Sequence, residues 1–167
     1  MQQPSYIDVL RERYRFDEWK EGSARAPEGE GTRPPVTFRG DEIPGWRLVR
    51  QTARDAPPRG HPPFARAMWE GESPEHLAAV DVYSCASPAA AREYLLHLLG
   101  EFQGPTLTRA AALDVGDVAF VTPGDTAVLF ARGSLVAVVR NAGRRVEPLG
   151  GVARALDAAL GAAGRER

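Results

Sequence analysis

The stretch LDVGDVAFVTPGDTAVLFARGSLVAVVRNAG, residues 113–143, constrains the fold more than any other part of the chain. It holds three apolar runs, Val115–Pro123, Thr126–Arg132 and Leu135–Asn141, separated by Gly124-Asp125 and Gly133-Ser134. Each run is apolar and bounded by a turn dipeptide, as a strand is. Dipeptides led by Gly suit two-residue hairpin turns. The segment is therefore expected to be three consecutive antiparallel strands, with Asp117 and Asp125 in the turn positions where Asp bonds nearby backbone.

The first half of the body follows the same order. Gly45–Arg54, Phe64–Gly71 and His76–Ser84 read as strands. Asp55–Pro63 holds four Pro and a Gly and reads as a loop, and Glu72–Glu75 reads as a turn. Ser87-Pro88 then opens a helix as N-cap and first helical residue. Ala91, Tyr94, Leu95, Leu98 and Phe102 recur along it at helical spacing until Gly104-Pro105 stops it. A second helix over 151–163 turns Val152, Ala155, Leu156, Ala159 and Leu160 inward. The order is thus βββα twice over, which reads as an internal duplication. The expected fold class is α+β: one domain, residues 38–167, with an antiparallel or mixed sheet and both helices packed on one face.

Ahead of that domain, residues 1–19 read as an amphipathic helical arm. Ser5 and Asp8 fit the start pattern in which an N-cap hydroxyl is paired with an acid three residues on. Ile7, Leu10 and Tyr14 share a face, with Trp19 extending it. Residues 20–37 are rich in Gly, Pro and charge and read as a flexible linker. The arm either folds back onto its own sheet or docks on a protein partner through Ile7, Leu10, Tyr14 and Trp19, since an amphipathic helix in a groove is a common recognition mode.

Composition narrows the function classes. A net charge of -1 gives no basic field for nucleic acid. The cations are 20 Arg and one Lys, which with abundant Ala and Gly suggests a GC-rich bacterial genome rather than a phosphate site. One cysteine, Cys85, leaves no internal disulfide and no thiolate-built zinc site. No basic region followed by an apolar run opens the chain, and no stretch reaches the roughly 18 apolar residues of a membrane helix. A soluble, cytoplasmic protein is the simplest expectation, although a mature exported form rebuilt with a starting Met would read the same.

Chemistry-bearing residues are sparse. Asp81, Asp114, Asp117 and Asp125 are scattered over strands and turns. His61, His76 and His97 lack the spacing of a helical metal pair. Cys85 stands just before a helix start, where a thiol pKa can fall, and with His76 or His97 nearby it would make a nucleophile. The opposing reading is a small buried apolar residue. No phosphate-binding or dinucleotide-binding glycine motif is present, and no cofactor or metal is expected. Trp46, Phe64, Trp69 and Tyr83 either fill the core or line a concave face for an apolar ligand.

The runs VGDVAFV and VLFARGSLVAVV, followed by the Ala/Leu-rich final helix, resemble the C-terminal part of small bacterial envelope lipoproteins and sensor-type domains. The resemblance covers residues 115–160 and rests on turn and core residues. Ser134 stands where that pattern often has Asn, and there is no lipobox cysteine near the start. It implies a binding or accessory domain and carries over no active site. The sequence is accordingly expected to encode a non-catalytic protein that meets a protein partner through its arm or a sheet edge, with a homodimer also compatible. The alternatives are a carrier of a small apolar ligand or lipid in the gap between sheet and helix, and a Cys85-dependent enzyme.

Overall fold

The computed structural model of the chain describes residues 3–19, 33–56, 60–102 and 106–163. The expected α+β class holds. Helix α1 (Tyr6–Arg13) is followed by strands β1 (Arg47–Arg54), β2 (Phe64–Glu70) and β3 (Leu77–Ser84), then helix α2 (Pro88–Glu101). Strands β4 (Thr108–Arg109), β5 (Val118–Val121), β6 (Ala127–Arg132) and β7 (Leu135–Asn141) come next, and helix α3 (Gly150–Ala163) ends the order. The strands form a single sheet in the order β1-β2-β3-β7-β6-β5-β4, and every neighbouring pair is antiparallel.

The local signals act as their chemistry requires. The Ser5 hydroxyl caps α1 while the Asp8 side chain answers the Ser5 backbone. The Ser87 hydroxyl accepts from the Ala90 N–H at 3.0 Å, with Pro88 beginning α2. Gly133-Ser134 makes the two-residue turn, pairing Arg132 with Leu135. The other hairpin is longer than expected. Thr122 and Ala127 close it, and Pro123–Asp125 form a 3-10 turn, because the Thr122 hydroxyl accepts from the Ala127 N–H at 2.8 Å. Asp117 also acts at longer range than predicted: its carboxylate accepts from the Gly133 N–H at 2.7 Å, tying the entry of β5 to the β6–β7 turn. Gly116 permits that approach, since at φ +63° a Cβ there would lie 2.5 Å from the Ala131 carbonyl oxygen.

The two helices do not share a face, which corrects the sequence expectation. Side chains alternate along each strand. Ala119, Val128, Phe130, Ala137 and Val139 point to the side where α3 packs through Val152, Ala153, Leu156 and Leu160. Val118, Phe120, Leu129, Ala131, Val136 and Val138 point to the side where α2 packs through Ala91, Leu95, Leu96 and Leu99. The loop after β7 makes the difference. The Asn141 side chain donates to the carbonyls of Thr126 and Glu147, and the Leu149 N–H donates to the Asp125 carbonyl. Those bonds lead the chain past the β5–β6 turn to the far side before α3 starts.

This placement also limits the duplication. An internal two-fold relating the antiparallel neighbours β3 and β7 would leave both helices on the same face. The βββα order recurs, but the second copy of the helix lies on the other side of the sheet.

The arm is part of the body. Leu10 and Trp19 are 3% and 4% exposed, and they sit with Leu95, Leu99 and Phe120. The Tyr6 hydroxyl donates to the Gly100 carbonyl at 2.9 Å, and Trp19 and Tyr14 meet the Phe120 ring at 5.3 and 5.4 Å. The expected linker, 20–37, lies outside the described residues over 20–32. Its last residues are built into the body, with Val36 packed beside Phe38 against the core.

Candidate functional site

Cover is distributed unevenly over the sheet. On the α3 side, the β1–β3 half is roofed by the segment before β1: Phe38 meets Trp69 edge-on at 6.0 Å, and Ile43 is buried beside them. On the α2 side, the helix lies over β6 and β7 and stops there. Among the described residues, the β1–β3 half of that face carries no helix.

Register identifies what this open half presents. Arg47 pairs with Glu70 and then, past a bulge, Arg50 with Met68, Thr52 with Arg66 and Arg54 with Phe64. Across the next seam Arg66 pairs with Asp81 and Phe64 with Tyr83, and Arg140 of β7 stands opposite Ala79. Directly opposed residues share a face. Among the described residues, Arg47, Arg50, Arg54, Arg66 and Arg140 therefore lie on one surface with two strand carboxylates, Glu70 and Asp81. This in a chain of net charge -1 is a local concentration of cations.

Asp81 organises the patch. Its carboxylate accepts from Arg66 Nε at 2.8 Å and from Arg66 Nη2 at 3.1 Å, and Arg140 Nη2 lies 3.9 Å away. Asp81 is 4% exposed although, among the described residues, no helix lies over it. The Arg66 and Arg140 heads close over its carboxylate instead. The hydrogen bond to Asp81 raises the Arg66 pKa, so that guanidinium stays charged. Where the patch meets α2 it ends in an aromatic wall. Phe64 and Tyr83 lie 5.5 Å apart, Tyr83 and Tyr94 lie 4.9 Å apart, and the Tyr94 hydroxyl is 2.8 Å from His61 Nδ1. Burial pushes both tyrosine pKa values up, and the Asp81 charge adds to the effect at Tyr83.

The sequence-derived candidates fall elsewhere. Of Ile7, Leu10, Tyr14 and Trp19, the structure draws Leu10 and Trp19 into the core and half-buries Tyr14 on Phe120, because α2 offers them an apolar groove beside Gly100. Ile7 alone stays outside, flanked by exposed Tyr6 and Val9. Cys85 is buried, and burial pushes its thiol up to about 12. Desolvation of the thiolate thus outweighs any help from the start of α2. His76 precedes β3 and Cys85 follows it, so an eight-residue strand, about 26 Å at the usual rise, separates the two. His97 faces outward and pairs with Glu101 at 3.2 Å on its own helix.

His76 instead belongs to a clamp. Its Nδ1 is 3.2 Å from the Ser73 hydroxyl and its Nε2 is 2.9 Å from the Glu147 carboxylate. These contacts join the β2–β3 turn to the loop before α3. There Gly143 packs so closely that a Cβ would lie 2.1 Å from the Glu75 carbonyl oxygen.

The aromatic residues do not form one concave lining. Trp69 is on the α3 side of the sheet, whereas Phe64 and Tyr83 are on the open side. Between sheet and helices the space is filled by the Leu and Val side chains already named. A cleft of about 770 Å³ lies instead between α1, the end of α2 and β4, with Tyr6, Arg13, Tyr14 and Arg109 along it. Among the described residues no group of His, Cys, Asp and Glu is arranged to hold a metal, and no helix is long and apolar enough to cross a membrane.

The arginine face was within reach of the sequence. Alternation in RLVRQTAR and FARAMWE places Arg50, Arg54 and Arg66 on a common side once the strands are paired. Set against protein-family models, curated proteins and solved structures, the chain matches none.

Proposed function

We propose that this is a non-catalytic binding or accessory protein whose protein partner docks on the open β1–β3 half of the sheet, at its β1 edge. The observation that carries this reading is the uneven cover. Strands β5–β7 are covered on both sides, while among the described residues this half-face carries no helix and is lined with guanidinium groups on an antiparallel frame. Arginine is over-represented at protein interfaces because its planar fork bonds carboxylates in defined geometry. The resemblance of residues 115–160 to envelope lipoprotein and sensor-type domains points to the same class. Ile7 and Val9 of α1 remain exposed, which supports a second docking reading on the arm.

A photoreactive amino acid at Thr52 or at Ile7, followed by irradiation of expressing cells, separates the two. A discrete adduct from the Thr52 probe, absent with the Ile7 probe, supports docking on the open sheet. Adducts from Ile7 alone would move the site to the arm.

A further inference from the structure

Strand β1 is an eight-residue edge, paired with β2 on one side only. Among the described residues no backbone hydrogen bond reaches its outer side. Every residue of the strand except Leu48 is exposed. Such an edge offers a row of N–H and C=O groups to any extended chain, and proteins usually guard it with charge or a bulge. β1 has both, with Arg47, Arg50 and Arg54 along it and a bulge between Leu48 and Arg50.

The guard is selective, because all three charges have the same sign. A second copy of β1 is repelled. Pairing over the full strand would set Arg47 against Arg54, and a two-fold centred on Thr52 would set Arg50 against Arg54 at both ends. A strand carrying carboxylates meets the opposite situation. Arg50, Thr52 and Arg54 follow one another at every second residue on the open face, with Arg66 in the next row beside Thr52. The side chains of an added strand alternate with the same period. Acids beside Arg50 and Arg54 would therefore reach guanidinium groups, whereas Arg66 is held by Asp81; the intervening residues would lie on the side of Gln51 and Ala53, where β1 carries no charge and the Gln51 amide bonds the Phe38 backbone.

We infer that β1 accepts an extended acidic segment of a partner protein as an eighth strand, with carboxylates on the open face paired to Arg50 and Arg54. This deepens the docking reading above and rests on it: the edge supplies backbone hydrogen bonds and the arginine row supplies selection. Exposed ion pairs are individually weak, so selectivity comes from the row acting together and falls as salt rises.

The test uses an alternating valine–glutamate octapeptide, its valine–lysine counterpart, and a short oligothymidylate. Binding is followed by fluorescence anisotropy and by amide hydrogen exchange of the full chain. The expected result is saturable binding of the acidic peptide alone, slowed exchange confined to β1, and weakening on raising the salt. The double variant Arg50→Glu, Arg54→Glu should weaken it about tenfold or more, as charge reversal at a close pair does. An unchanged melting temperature shows that this variant is folded, and Arg50→Gln with Arg54→Gln gives the same reading at lower risk to the fold. Equal binding of the lysine peptide, with β1 protected, would overturn the acidic selection while leaving the docking place standing. Acidic peptide bound with no protection of β1 would overturn both. Tighter binding of the oligothymidylate would replace the protein partner by nucleic acid, and no binding of the acidic peptide by about 1 mM would end the proposal.

Discussion

Cys85 shows how one residue's surroundings decide its chemistry. Its position before a helix is what a reactive thiol needs, yet the side chain faces inward beside α2 and its thiol is pushed up to about 12. Burial disfavours the thiolate more strongly than a helix end favours it. Two consequences follow. An alkylating reagent at pH 8 should leave native Cys85 untouched and modify it only after denaturation, which mass spectrometry of the two samples will read. The fold should also weaken in alkali. A thiol whose folded pKa lies above its unfolded value contributes stability below the unfolded pKa, and loses that contribution as pH rises toward the folded one. For Cys85 the window runs from about 9 to about 12, and raised Tyr83 and Tyr94 add in the same direction. Urea midpoints should fall over that window, and a constant midpoint would contradict the buried thiol. At this scale the sequence was partly legible. The caps at Ser5 and Ser87 act within three residues and could be read off the chain. The Asp117–Gly133 and Arg66–Asp81 bonds span a pairing that only the register fixes.

The helices illustrate what periodicity does and does not reveal. The stripe predicted on α2 included Leu98 and Phe102, whereas the helix buries Leu96 and Leu99 fully and those two only in part. A one-sided pattern search assumes one partner. α2 has the sheet beneath it and α1 alongside, so its buried arc is wider and rotated. Gly100 makes the second contact possible, since a Cβ there would come within 2.5 Å of Leu10 Cδ1. The amphipathic arm was recognisable in the sequence, but not its occupant, because a stripe of Ile7, Leu10 and Tyr14 fits its own domain or another protein equally well. The packing predicts that Leu10→Asp lowers the melting temperature of the whole protein, by placing an unpaired charge at a buried site. Leu95→Ala should cost about 2–5 kcal/mol and Leu98→Ala clearly less, following the difference in burial. A Leu10→Asp protein that melts normally in differential scanning calorimetry would detach the arm from the body.

Across the molecule, the seam between β3 and β7 holds the two halves of the sheet together. Seven residue pairs cross it, from Ala78 with Asn141 to Ser84 with Leu135, joining segments that lie far apart in sequence. The βββα order repeated along the chain was visible in the hydrophobic pattern. The side on which each helix would land was not, because a pattern of turns and apolar runs leaves the path of residues 142–149 open. That loop is steered by the Asn141–Thr126, Leu149–Asp125 and His76–Glu147 contacts, all of them between segments distant in sequence. The architecture implies a gradient of local stability. β6 and β7 are covered on both faces, and Val80, Val128, Val136 and Val139 there and on β3 are fully enclosed. β1 has one neighbour and an exposed face. Opening free energies rise from near zero at such edges to the global value in doubly covered strands. Native-state hydrogen exchange should therefore find the amides of β3, β6 and β7 exchanging only through global unfolding, with the denaturant dependence of the whole molecule, and those of β1 exchanging by local opening that denaturant barely affects. Uniform protection would mean that β1 is held by something on its outer side, and the bare edge would then have to be given up as a docking surface. A gradient falling toward β1 is what a sheet held ready for one more strand requires: a frame rigid at its centre, with an edge whose backbone groups are available to a partner.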